Sequence, residues 1–375
     1  MFEISGKYNS CRVFAKEIDS GARGQLTALM NQKSIAGSKI RIMPDCHAGA
    51  GSVIGTTMTI GDTVIPNLTG VDIGCGILVT VLAGVRAELP KLDSVIRKSI
   101  PAGIKVRRER HRYLEEIPLS DLRCRDHIRK ERAALSLGTL GGGNHFIELD
   151  KGADGTLYLL VHSGSRALGA SAASFYQEKA WEKIREAGED HAEDPVPHEL
   201  AYLQGDLLED YLFDLRIIQE YASWNRRAIA DTILREMKWK RREEFETVHN
   251  YIDTAHRILR KGAVSARKGE RMVIPMNMRY GALICSGLGN PDWNESAPHG
   301  AGRRMTRSEA RQSFTLSQFK KEMKGIYSSS VRADTLDESP MAYKPVEEIL
   351  QNLGETVEVQ ETIRPVYNFK AGGGE

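Results

Sequence analysis

The chain has 375 residues, 41% hydrophobic and 27% charged, the mixture of an ordinary globular protein rather than a disordered one. Its 52 basic and 50 acidic side chains leave a net charge of +2, so the whole-chain charge names no polyanionic partner and only local clusters can. Five cysteines, Cys11, Cys46, Cys75, Cys124 and Cys285, are widely spaced with no CxxC pair, which argues against a zinc ribbon or a thioredoxin-type site.

The N-terminal MFEISGKYNS is no basic-then-apolar leader, and no apolar run approaches the ~20 residues of a membrane helix. A reducing cytoplasm is the expected location. Glycine is abundant, at 35 residues, and gathers in blocks at 43–55, 70–76, 138–143 and 287–302. Most contain or adjoin Asp, Cys, His or Asn, as expected for loops that bring backbone close to a ligand. Between them, residues 77–83 (ILVTVLA), 146–149, 156–162 (TLYLLVH) and 271–275 (RMVIP) read as short buried strands. Residues 171–186 and 203–240 read as helices. In the second, Leu207, Tyr211, Leu215, Ile218 and Ala222 recur at helical spacing on one face. The acidic, proline-bearing stretch 189–197 between them reads as a loop. These features predict one compact α+β domain over 1–375, a mixed β core with surrounding helices and a helical insert at about 171–240. The terminal AGGGE is expected to be flexible.

Asp72 and Cys75 lie in GVDIGCGI (70–77), three residues apart with glycines on both sides of the cysteine. Thiolate and carboxylate together suit a divalent transition metal. His145 lies in GGGNH, His162 in VHSGSR and His249 in TVHN, and imidazole is the commonest transition-metal ligand. A lone buried cysteine or strand histidine is usually structural; the combination, in its glycine context, raises the five above that reading. Five ligands exceed a closed tetrahedral site and suggest two metals sharing a ligand, for which the Cys75 thiolate is suited. Paired metals clamp the attacking and leaving oxygens of phosphoryl transfer. His111, His127, His191, His198 and His256 lack the glycine context and read as structural or surface residues.

Six ordered blocks, MPDCHAGAG (43–51), GVDIGCGI (70–77), GTLGGGNHFIEL (138–149), HSGSRALG (162–169), RKGAVSAR (260–267) and HGAGR (299–303), together resemble the RtcB-type RNA ligases over most of the chain. The resemblance implies a compact α+β fold peculiar to that family, in a divergent bacterial-type branch. It implies joining of RNA 2′,3′-cyclic phosphate or 3′-phosphate ends to 5′-hydroxyl ends with GTP and Mn2+. Broken tRNA or rRNA ends are the implied partners, in RNA repair or tRNA processing. The metal ligands would be Asp72, Cys75, His145, His162 and His249, and the guanylated nucleophile His299, with Asp45 assisting. The guanylate pocket would draw on Asn144, His145, Phe146, Ile147, Glu148, His249, Asn250, Pro275, Met276, Asn277, Met278, Ala282, His299, Gly300, Ala301, Gly302 and Lys370.

On residues alone, His299 also reads as a cap on a glycine turn, Asp45 as an Asx turn after Pro44, and Lys370 as a solvated tail lysine. Arg166, Arg303 and Arg307 are candidates for RNA or GTP phosphates, since guanidinium forks match phosphate oxygens. The basic runs RRERHR (107–112) and KWKRR (238–242) read as RNA tracks or as solvated faces. The family's usual Pro-Gly-Ser-Met-Gly is Pro275-Met-Asn-Met-Arg-Tyr-Gly281 here, so Arg279 is expected to narrow the pocket or to replace backbone donors with a charge. Ala282 stands at a usual serine. An end-capping guanylyltransferase, a silent RNA-binding protein and a metallophosphoesterase are the competing readings.

Overall fold

Alternation along strand Gly76–Leu82 sets the centre of the molecule. Ile77, Val79 and Val81 face one side and Leu78 and Leu82 the other, every one buried, as the twofold period of a strand requires. This is a computed structural model, and it describes residues 1–371; residues 372–375 of the glycine tail lie outside them. The strand belongs to an antiparallel sheet of seven, ordered Arg241–Val248, Gly76–Leu82, Leu157–Ser163, Phe146–Lys151, Val357–Lys370, Gly281–Gly287 and Arg271–Asn277. The sheet curls until its two edges meet, where the Val273 N–H donates to Thr247 Oγ1 at 3.0 Å. Its concave side buries Ile77, Val79, Phe146, Leu160, Ile284 and Ile363. Its convex side is covered by helices Leu89–Ser99 and Gly205–Met237, through Leu92, Ile96, Ile229 and Ile233.

A second sheet of six strands runs Phe2–Ser5, Ser10–Val13, Ile40–His47, Ile54–Thr59, Ile258–Lys261 and Asn250–Asp253. The parallel pair Ser10–Val13 and Ile40–His47 is bridged by helix Ser20–Met30, whose first turn is capped by the Asp19 carboxylate on the Ala22 N–H. Strand Arg241–Val248 of the first sheet passes through His249 into Asn250–Asp253 of the second. The two sheets therefore meet at a ligand-type residue.

The helical stretches expected from periodicity are present. Helix Gly205–Met237 buries Tyr211, Leu215, Ile218 and Ala222 and ends with Lys238 in the left-handed region at φ 58°. The preceding helix, Arg166–Glu186, begins five residues earlier than expected, because its small first turn (Ala167, Gly169, Ala170) carries no apolar period to read. Both helices pack on the body of the fold, the longer one directly on the central sheet. No helix among the described residues is long and apolar enough to cross a membrane.

Candidate active site at the seam of the two sheets

The ligand-type residues converge where the loops end. Cys75 Sγ lies 3.4 Å from His145 Nε2 and 3.3 Å from His162 Nε2. His162 Nε2 lies 3.4 Å from His249 Nε2, and His145 Nε2 2.9 Å from Asp72 Oδ2. They form two groups, Asp72–Cys75–His145 and Cys75–His162–His249, each with its ligand atoms within 4.8 Å of one another and both using Cys75. Residues from four separate stretches of chain thus meet through one thiol.

The donor chemistry fits cations. His145 Nδ1 donates to the Leu140 carbonyl at 2.8 Å, which aims Nε2 at a carboxylate oxygen of Asp72 2.9 Å away, a pair of atoms between which a cation would fit. Burial, then the neighbouring imidazoles, pushes His162 well below the usual histidine range. Burial, then the charge of His299, does the same to His249. Both rings are therefore neutral at neutral pH, the form in which an imidazole can bind a metal. Burial, then the charge of Asp72, pushes the Cys75 thiol well up, so only a metal would make it a thiolate here.

The backbone holds this geometry tightly. Asp72 Oδ1 accepts from the Ser165 N–H at 3.0 Å, and a Cβ on Gly164 would lie 2.1 Å from that carboxylate. The His249 N–H donates to the Cys75 carbonyl at 2.9 Å. Beneath both loops sits Arg226 of the long helix, fully buried. Its Nη1 donates to the carbonyls of Gly74 (2.7 Å) and Ser163 (2.6 Å), and its Nε to Glu246 (2.6 Å). Its neighbour Asn225 accepts from the N–H groups of Gly138 and Thr139 and donates to Ser163 Oγ and to the carbonyls of Thr139 and Gly164.

His299 approaches from the opposite side, its ring 5.1 Å from that of His249. Asp45, on strand Ile40–His47 and wholly buried, places Oδ2 2.7 Å from His299 Nδ1 and accepts from the N–H groups of His299 (3.1 Å) and Gly300 (3.3 Å). Asp45 is thus a strand residue orienting His299 rather than part of a turn. The carboxylate engages the Nδ1 side of the ring, so Nε2 is the nitrogen left without a bond to Asp45. The neighbouring basic pair explains how the segment is held. Arg260 bonds Ser296 Oγ, Tyr251 Oη and the carbonyls of Asn294 and Glu295. Lys261, which burial pulls down to about 8, donates to Ala50 O, Ser52 Oγ and Asn67 O.

Beside His299 opens a cavity of 290 Å³, at the small end of ligand pockets, which start at about 300 Å³. Of the expected nucleotide contacts, Asn144, Phe146, Glu148, His249, Pro275, Met276, Asn277, Met278, His299, Gly300, Ala301, Gly302 and Lys370 line it. Four do not. His145 stays in the metal group, and Ile147 points to the convex side of the sheet. Asn250 spends its side chain on the Gly262 N–H and the Asp72 carbonyl. Ala282 is buried in the concave core, where Gly281 lines the cavity instead.

Arg303 and Arg307 line the cavity; Arg166 does not, bonding the Gly103 carbonyl and Thr139. Helix Arg307–Ser313 starts only at Arg307, and Arg303, outside it, meets Arg307 on one acid cluster. Arg307 bonds Asp337 and Glu338, and Arg303 the Asp337 carbonyl. Arg279 turns outward and donates to the carbonyls of Glu322 (2.6 Å) and Lys324 (3.1 Å), tying the hairpin to helix Leu316–Glu322. It neither narrows the cavity nor supplies it with charge.

At the floor, Asn368 Nδ2 donates to Glu148, whose carboxyl burial pushes up to about 7. Lys370 pairs with Glu338, which also accepts from Tyr343 Oη at 2.7 Å. Asn368, Tyr343 and Ile54 also line the cavity, unmarked by residue type or spacing; His47 lines it too, and its place in the glycine-rich block MPDCHAGAG was the signal that could have found it.

With this geometry in place, the comparisons with known proteins are unambiguous. The family described as tRNA-splicing ligase RtcB matches residues 25–122 and 114–371. The chain is similar to the RNA-splicing ligase RtcB of Escherichia coli strain K12, 30% identical over 94% of this chain and 95% of the relative. It is also similar to the tRNA-splicing ligase RtcB of Aeropyrum pernix, 28% identical over 83% of each. A third relative, RNA-splicing ligase RtcB2 of Escherichia coli strain ATCC 25922, is 28% identical over 88% of each. A shared thiol between two metal-competent groups, a histidine held by a buried carboxylate, and these matches lead to one conclusion: the chain belongs to the RtcB family of RNA ligases.

Proposed function

We propose that this RNA ligase uses GTP and Mn2+ to join 2′,3′-cyclic phosphate or 3′-phosphate ends to 5′-hydroxyl ends through a covalent guanylate on His299, with broken tRNA or rRNA ends as substrates. The contact that carries the proposal is Asp45 Oδ2 to His299 Nδ1 at 2.7 Å. It fixes the tautomer with a free Nε2 lone pair and stabilises the ring when a positive charge develops on it.

His299 Nε2 attacks the α-phosphorus of GTP; a P–N bond forms and the bond to pyrophosphate breaks. An oxygen of the RNA 3′-phosphate then attacks the same phosphorus, and the P–N bond breaks, returning the electron pair to Nε2. Finally the 5′-hydroxyl attacks the activated 3′-phosphate, forming the phosphodiester and releasing GMP and a proton. A cyclic phosphate needs one water to open it before the second step. Ions held by Asp72, Cys75, His145, His162 and His249 would neutralise phosphate charge. Glu148 and Lys370 at the cavity floor complement guanine, whose N1–H and N2–H2 donate and whose O6 accepts.

The test is incubation with α-labelled GTP and Mn2+, followed by RNA carrying a 3′-phosphate. Covalent label is expected on the wild type, absent in His299→Ala, and reduced about 10²–10⁴-fold in rate in Asp45→Asn. Label that survives in His299→Ala ends the proposal. A guanylate-capped end without a joined strand replaces ligation by capping.

A further inference from the structure

Between residues 104 and 136 the sequence holds ten Lys or Arg against six Asp or Glu, an excess larger than the +2 of the whole chain. The side chains of Lys105, Arg108 and Arg129 are exposed and have no ion pair or hydrogen bond among the described residues. This basic arm is anchored on the loop that carries His145. The Gly103 N–H donates to Gly141 O at 2.8 Å, and the Leu140 N–H to Pro101 O at 2.9 Å, while Leu140 O holds the His145 ring. Arg166 and Arg132 grip the next carbonyls, Gly103 O at 3.1 Å and Ile104 O at 3.0 Å. Ile104 is left 77% exposed, the most exposed large hydrophobic side chain among the described residues.

Against the arm lies a groove of 590 Å³. Its floor is one face of helix Arg166–Glu186, made of Ala167, Ala170, Ser171 and Ser174, small enough to let a chain lie close. Arg129 and Arg132 form the facing wall. At its lip the His127 ring stacks on Phe175, centroids 4.4 Å apart and planes 21° from parallel. Glu178, paired with His198 at 3.1 Å, is the acidic residue lining it. A cationic wall, a flat ring pair and a small-residue floor are what an unpaired strand needs, because phosphates take the charge and every base has a face to stack. Along a duplex the base faces are stacked on one another, so none is free within it to lie on a protein ring.

We infer that this groove, entered over Ile104, is the track for the single-stranded RNA next to the reacting end, reaching the metal group on its Asp72–His145 side. The inference rests on the RNA ligase reading but not on guanylation. The experiment measures anisotropy of a labelled single-stranded RNA with a 3′-phosphate over a series of salt concentrations. Lys105→Ala/Arg129→Ala should weaken binding and lower the slope of log affinity against log salt by about 0.7 for each phosphate no longer neutralised. His127→Ala should weaken binding about fivefold or more without changing that slope. Lys33→Ala, an exposed cation elsewhere, is the control. All variants should take covalent GTP label as the wild type does. Groove variants that bind like Lys33→Ala overturn the inference, as does equal affinity for a blunt RNA duplex. If the wild type takes no label, the guanylation proposal falls while the binding data still decide the groove.

Discussion

Glu338 is the residue on which the floor of the cavity depends. It accepts from Lys370, Arg307 and Tyr343 while buried. Burial alone would push its pKa up, but the charges of Lys370 and Arg307 outweigh this and hold it at about 2, against a usual 4.5. A depressed carboxylate stabilises the fold fully above the unfolded value and loses that contribution as pH falls through the folded one. The window is therefore from 4.5 down to about 2. The shift corresponds to roughly 3 kcal/mol. Glu338→Gln should lower stability at neutral pH by that order, since Lys370 is left buried and unpaired, and should flatten the acid limb of urea-unfolding free energy against pH. An unchanged acid limb in the variant would show that the pair carries no such linkage. This cluster was illegible as a unit in the sequence because Arg307, Glu338 and Lys370 lie about 30 residues apart along the chain and nothing in their spacing foretells that they meet. The metal-type residues were legible for the opposite reason: Cys75, His145 and His162 each stand within two residues of a glycine in a loop, Gly74, Gly143 and Gly164.

Among the elements, the long helix Gly205–Met237 matters most. Its apolar face was readable from spacing, yet its functional contribution was not, because Asn225-Arg226 looks like any polar pair in a helix. Folding turns that pair inward under two loops. Arg226 is a positioning residue: it touches neither ligand-type atoms nor the cavity, but fixes Gly74 O and Ser163 O, each next to a candidate ligand. A lysine has one ammonium and cannot span Gly74, Ser163 and Glu246 from one planar head. Arg226→Lys should therefore weaken metal affinity about 10–100-fold, read by titration with Mn2+, and lower the melting temperature. Arg226→Met would add the cost of leaving two buried carbonyls without a donor and Glu246 without its partner. If Arg226→Lys binds metal like the wild type, the clamp serves the fold alone. The same limit of sequence reading applies to strand Val357–Lys370. Lys370 looks like a tail lysine because nothing in the chain foretells that this last strand enters the middle of the sheet, between Phe146–Lys151 and Gly281–Gly287.

At the scale of the whole molecule, the two candidate metal groups lie where ions would fasten the two sheets together. Asp72, Cys75, His145 and His162 belong to the curled sheet and its loops. His249 is the point where the chain crosses to the second sheet, and Asp45 and His299 face it from that side. Ions that bind only this folded arrangement must stabilise it by mass action, each by about 2.7 kcal/mol at a free concentration a hundred times its dissociation constant. Calorimetry with Mn2+ and after chelation should show the loaded protein melting several degrees higher. Metal content should divide in a pattern that only a shared ligand produces. Two ions per wild-type chain are expected, one each in Asp72→Ala and His249→Ala, and fewer than one in Cys75→Ala, because the thiol serves both groups. Two ions retained in Cys75→Ala, or a melting temperature indifferent to chelation, would separate metal binding from the joining of the sheets.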